Sequence, residues 1–81
     1  MMPLYAFVEG DTLGLLVLAE EKESIASLAR KAQSAASVRV ASRAQPSVVY
    51  QGKHLDPEMT VGLAGLTPLC RFDVRFSGDE R

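Results

Sequence analysis

The strongest constraint on the fold is a block of eight residues in the third quarter of the chain. Residues 48–55 have the sequence VVYQGKHL. The first three favour a β-strand, and the glycine that follows suits a tight turn. An acidic, proline-marked loop comes next, and Thr60 is placed to cap a turn. The block therefore predicts a strand over residues 47–51, a turn, and a very short strand at residues 54–55.

The N-terminal part of the chain predicts a β-hairpin followed by a helix. Residues 4–8 and 13–19 are rich in apolar β-formers, and the Glu-Gly-Asp-Thr sequence between them suits a turn. Ser24 is a good N-cap. The apolar residues behind it recur at the spacing of one helix face: Ile25, Leu28, Ala29 and Ala32. We expect this helix to end near residues 34–36.

The C-terminal part contains the cleanest strand pattern. Apolar and polar residues alternate from position 70 to position 76, so one side of this strand is expected to be buried and the other to face water. Residues 60–63 predict a single helical turn. Residues 37–46 favour no element, and residues 77–81 are a polar tail or the start of a linker. We therefore expect one domain over residues 1–76.

This order of elements and the motif at residues 48–55 resemble the ubiquitin-like superfamily. In that family a strand of the type L-I-F-x-G-K-x-L precedes an acidic loop, a Thr-Leu turn and an isoleucine. The resemblance implies an α+β, ubiquitin-like β-grasp fold of β-β-α-β-β order. One helix would pack across one face of a mixed four- to five-stranded sheet, with the first and last strands parallel at its centre. The implied core positions are Ile25, Leu28, Val48, Leu55, Val61, Leu66, Phe72 and Val74.

The chain departs from conjugating ubiquitin-like proteins in two ways. Those proteins end in Gly-Gly just after the last strand, whereas this chain has no Gly-Gly pair and ends FSGDER. The family's recognition patch has a histidine and a valine on the last strand, where this chain has Asp73 and Arg75. The resemblance therefore implies a non-conjugating member that standard ubiquitin receptors bind poorly.

Composition excludes several classes of function. The net charge is −1, and no aromatic residues interleave with Arg30, Lys31, Arg39 and Arg43 of the basic middle segment, which argues against nucleic acid as a partner. No apolar run approaches the roughly 20 residues of a membrane helix. A lone Cys70 and a lone His54 build neither a disulfide nor a Cys–His metal site. We expect a cytoplasmic, reducing environment, no enzymatic activity, no catalytic, cofactor-binding or metal-ligating residues, and no small-molecule substrate.

The predicted hairpin is unusually apolar for the edge of a sheet. Residues 15–18 are Leu-Leu-Val-Leu, so two large aliphatic side chains must point away from the helix in either register. Apolar patches and apolar edge strands favour association, either with a partner or between copies of the chain. Alternatively, residues 37–46 or the C-terminal tail fold over this face. Together with the family's recognition patch, the candidate partner-binding residues are Tyr5, Phe7, Leu16, Leu18, Val49, Lys53, His54, Arg71 and Arg75.

These observations favour a non-catalytic protein–protein interaction module. Our main hypothesis from the sequence is that the chain forms the N-terminal head domain of a longer scaffold or adaptor protein. The alternative is a small stand-alone regulatory subunit of a multisubunit enzyme, a use of this fold that the resemblance includes among oxygenases. A conjugated modifier is the least favoured hypothesis because the Gly-Gly ending is missing.

Overall fold

A computed structural model describes residues 1–36 and 46–76. The amphipathic segment that follows Ser24 forms the helix, with Ser24 as its N-cap, and the segments rich in apolar β-formers form the strands. The unassigned segment at residues 37–45 and the tail at residues 77–81 lie outside the described residues. The elements in chain order are β1 (Met2–Val8), β2 (Leu15–Ala19), α1 (Ile25–Ala35), β3 (Pro46–Tyr50), β4 (Lys53–His54) and β5 (Arg71–Phe76).

The five strands form one mixed sheet of order β2-β1-β5-β3-β4. Strands β1 and β5 run parallel, and the other neighbouring pairs run antiparallel. Helix α1 crosses one face of this sheet, where its apolar side chains are buried. The ubiquitin-like β-grasp prediction is confirmed, including the parallel pair at the centre. The opposite side of the sheet, which we call the open face, carries no helix among the described residues.

The core lies between α1 and the sheet. Alternate residues of β1 and β5 point into it because side chains change sides at every residue of a strand. All the core positions that the resemblance implied are buried except Leu55, which is half-buried against the core. The largest fully buried side chains are Leu4, Ile25, Leu28, Val48, Val61, Phe72 and Val74.

The N-terminus of α1 is closed by its predicted cap and by the preceding glutamate. The Ser24 hydroxyl accepts the backbone N–H of Ser27 at 3.1 Å. The Glu23 carboxylate accepts the Ser27 hydroxyl at 2.7 Å and the Lys31 ammonium at 2.9 Å. Desolvation by burial pushes the pKa of Glu23 upward, but hydrogen bonds from Lys31, Ser27 and the Glu20 backbone N–H outweigh it and lower the pKa from its usual 4.5.

This arrangement makes part of the stability dependent on pH. Because folding lowers the pKa of Glu23, its stabilising effect is complete above pH 4.5 and is lost as the pH falls through the folded-state pKa. We expect Glu23→Gln to lower the free energy of unfolding by about 1 kcal/mol at pH 7. Urea titrations followed by circular dichroism at pH 7 and pH 3 test this. A difference between wild type and variant that does not shrink at pH 3 would contradict the charge-based explanation.

The predicted boundaries of all five strands differ from those of the structure by one or two residues. Strand β2 begins at Leu15 rather than at residue 13. The single helical turn predicted at residues 60–63 is present: the Ala64 N–H donates to the Thr60 carbonyl at 3.0 Å, and the Thr60 hydroxyl accepts the Leu63 N–H at 3.2 Å as a cap would. Strand β5 begins at Arg71, since Leu69 adopts a positive φ of 68° immediately before it.

Within residues 1–36 and 46–76, no helix is long and apolar enough to cross a bilayer.

Candidate partner-binding face

The apolar part of the open face lies on β1 and β2. The strand register places Tyr5 beside Leu16 and Pro3 beside Leu18. Tyr5, Leu16 and Leu18 expose 43%, 59% and 50% of their surface, whereas Val17 is buried against the helix. The sequence predicted that two aliphatic residues of this strand face outward but not which two; they are Leu16 and Leu18. The alternative prediction was that residues 37–46 or the C-terminal tail fold over this face. These segments lie almost wholly outside the described residues.

Phe7 joins this apolar part to the charged strand β5. A Cβ added at Gly14 would lie only 2.7 Å from Cζ of Phe7, so the glycine makes room for the ring. The guanidinium carbon of Arg71 lies 4.1 Å from the ring centroid, within the range of a cation–π contact. Gly14, interpreted from the sequence as a weak point or a bulge, thus provides the close approach that a half-buried Phe7 requires.

Charged residues of β5 continue the same face. The parallel register sets Arg71 beside Tyr5 and Asp73 beside Phe7, and alternation puts Arg75 on the same side. Nε of Arg71 donates to Oδ1 of Asp73 at 3.0 Å. The Arg71 guanidinium thus makes both contacts, and four of its five N–H donors take no part in the bond to Asp73.

The second predicted surface lies on this face as well. Val49 pairs with Asp73 on one side and with His54 on the other, and Nδ1 of His54 lies 3.4 Å from Oγ of Ser47. Lys53 instead pairs with Tyr50 and therefore lies on the opposite side of the sheet. All the candidate residues except Lys53 thus share the open face, but whether they bind a partner stays a prediction.

Pro3 lies on this side of β1, and Leu69 contacts it through the backbone; neither was predicted from the sequence. The N–H of Leu69 donates to the carbonyl of Pro3 at 2.6 Å, and the Leu69 side chain is 58% exposed. A left-handed backbone at a leucine costs about 1 kcal/mol or more. The break at Gly65 and Pro68 signals a turn nearby, but no local pattern shows that an exposed leucine lies beside β1.

The lone thiol does not build a reactive centre of its own. Cys70 is half-buried next to Tyr50. Desolvation by burial, and then the charge and hydrogen bonding of Cys70, raise the pKa of Tyr50 above its usual value, so the phenol stays neutral at physiological pH. Among residues 1–36 and 46–76, no group of three or more His, Cys, Asp or Glu side chains is arranged to hold a metal ion.

Comparison with known families supplies the identification. The model of the family "Toluene-4-monooxygenase system protein B (TmoB)" matches residues 1–76. This chain belongs to the TmoB family. A chain in a solved toluene 4-monooxygenase HD complex with the inhibitor 4-bromobenzoate has a TM-score of 0.87 and 29% identity to it. That match covers 94% of this chain and 98% of the other.

More distant solved structures share only the fold with this TmoB-family chain. A computationally designed protein based on human erythrocytic ubiquitin has a TM-score of 0.76 at 18% identity, with 100% of this chain and 98% of that chain covered. A structure described as molecular mimicry of SUMO in DNA repair has a TM-score of 0.73 at 15% identity, with 90% and 88% covered. No curated protein sequence matches the chain significantly.

Proposed function

We propose that this chain is a non-catalytic, regulatory subunit of a multisubunit toluene-type monooxygenase, in which it acts by binding other subunits. The observation that carries the proposal is the family match over residues 1–76. The similarity to a chain of a toluene 4-monooxygenase complex over 98% of that chain supports it, because there the same fold serves as a separate polypeptide. Catalysis would reside in other proteins of the system.

The comparisons favour this function over the head domain of a scaffold or adaptor, which was our main hypothesis from the sequence. The matching family is that of an oxygenase system protein, and the match to a chain of a toluene 4-monooxygenase complex covers nearly all of that chain. The same comparisons favour this function over the conjugated modifier.

Reconstitution of the monooxygenase tests this function. We expect the chain to co-elute in size-exclusion chromatography with the other proteins of its monooxygenase system and to show no toluene hydroxylation alone. Adding it to an assembly that lacks it should raise hydroxylation by about tenfold or more, measured as product per unit time. Failure to co-elute, or an unchanged rate despite co-elution, would refute a regulatory subunit.

A further inference from the structure

The outer edge of β2 presents backbone groups that no described strand uses. Strand β2 is the last strand on its side of the sheet, and among the described strands only β1 pairs with it. The N–H of Tyr5 donates to the Cys70 carbonyl, so the backbone of Tyr5 is turned towards β5. Its antiparallel partner Leu16 therefore directs its N–H and carbonyl to the outer edge, and Leu18, two residues further on, does the same. An apolar strand with such an edge is a template for the addition of another strand.

The Lys31 ammonium lies at this edge. Its Nζ donates to the Leu18 carbonyl at 2.7 Å and to Oε1 of Glu23 at 2.9 Å. The Glu23 carboxylate is held in turn, because it accepts the Ser27 hydroxyl at 2.7 Å and the Glu20 N–H at 3.1 Å. Of the three ammonium N–H donors, one is therefore used at the edge of β2 and another at a carboxylate that is fixed on α1. These bonds distinguish Lys31 from a lysine that extends freely into water.

The edge of β2 is complementary to the same edge of a second copy of the chain. Two antiparallel β2 strands overlap over all five of their residues when Val17 lies opposite Val17 of the second copy. Leu16 of each copy then faces Leu18 of the other, and each such pair can exchange both of its N–H···O bonds. One bond of each pair requires the Leu18 carbonyl, which Lys31 occupies. The exposed side chains of Leu16 and Leu18 would become cross-strand neighbours and bury apolar surface.

We propose that Lys31 is an autoinhibitory cover of the β2 edge, which prevents a second copy of the chain from adding its own β2 strand to the sheet. Glu23 keeps the ammonium on the Leu18 carbonyl. An incoming strand has to displace a charge-assisted hydrogen bond and turn the ammonium away from Glu23 before its own bonds can form. The inference is independent of the proposed function, since it concerns copies of this chain alone.

Sedimentation equilibrium of Lys31→Met tests the cover. The substitution preserves an unbranched side chain of good helix propensity but removes the ammonium. We expect the variant to dimerise at concentrations about tenfold or more below those that wild type requires, because the Leu18 carbonyl becomes available. Arg30→Met is the matched control, since it removes the same charge from the neighbouring exposed position of α1 and should change dimerisation less than about twofold. Lys31→Ala repeats the comparison if Lys31→Met does not fold.

Amide hydrogen exchange followed by NMR locates the contact in the dimer. The N–H groups of Leu16 and Leu18 face outward in the monomer and should exchange about tenfold or more slowly in the dimer of Lys31→Met, because they then donate to the second copy. Equal dimerisation of Lys31→Met and Arg30→Met would overturn the inference. Stronger dimerisation of Lys31→Met without slower exchange at Leu16 and Leu18 would overturn it as well, since the contact would then lie elsewhere.

Discussion

Replacement of Phe72 by alanine is expected to lower the free energy of unfolding by about 3–5 kcal/mol. The side chain is 1% exposed and lies beside Ala6 on the helix side of the two central strands. Truncation there removes buried apolar surface and leaves a cavity that neighbouring strands cannot close without losing their hydrogen bonds. A domain of this size has a total stability on the order of 5 kcal/mol, so most of it is lost.

Urea unfolding followed by circular dichroism measures this effect. Phe72→Leu is the matched control, because it keeps most of the apolar volume and should cost less than about 1.5 kcal/mol. A loss below about 1 kcal/mol for Phe72→Ala would show that the core is not closely packed around this ring. Partner binding by the alanine variant should weaken only in proportion to the unfolded fraction, since Phe72 points away from the open face.

Replacement of Ala32 by leucine is expected to destabilise the protein by about 1–3 kcal/mol through overpacking. Ala32 is fully buried where α1 crosses the sheet, and Ala29 and Ala36 are buried on the same side of the helix. These small side chains allow the helix backbone to approach the strands closely. A leucine would have to push the helix away or adopt an unfavourable rotamer.

The same substitution three residues later provides a control. Ala35 is exposed in the last turn of α1, and Ala35→Leu should change the free energy of unfolding by less than about 0.5 kcal/mol. Thermal unfolding should show a fall of about 4–8 °C for each kcal/mol lost by Ala32→Leu. Equal melting temperatures for the two variants would mean that the helix does not pack on the sheet as described.

Local chemistry explains why much of the fold could be predicted. The cap at Ser24 and the 3.6-residue spacing behind it depend only on nearby residues, and α1 lies where they indicate. The alternation in β5 likewise predicted that Phe72, Val74 and Phe76 are buried. The errors at Leu13 and Cys70 occurred at strand ends, where assigned boundaries vary by one or two residues.

Local sequence patterns predicted the candidate partner-binding face only in part. Because residues 15–18 are all aliphatic, two of their side chains had to point away from the helix. The pairing of β2 with β1 decided that these two are Leu16 and Leu18. The sequence also suggested two separate surfaces, one on the hairpin and one around Val49. Their union into one face depends on the parallel pairing of β1 with β5.

The amino-acid sequence by itself thus determined the β-grasp order, the helix and its cap, and the presence of two aliphatic side chains of β2 that point away from the helix. These features follow from periodicity and turn chemistry within a few residues. Only the tertiary structure decided that the arginines of β5 lie beside the apolar hairpin and that Lys53 lies on the other side. The physical reason is strand register, since pairing between distant segments determines which side chains become neighbours.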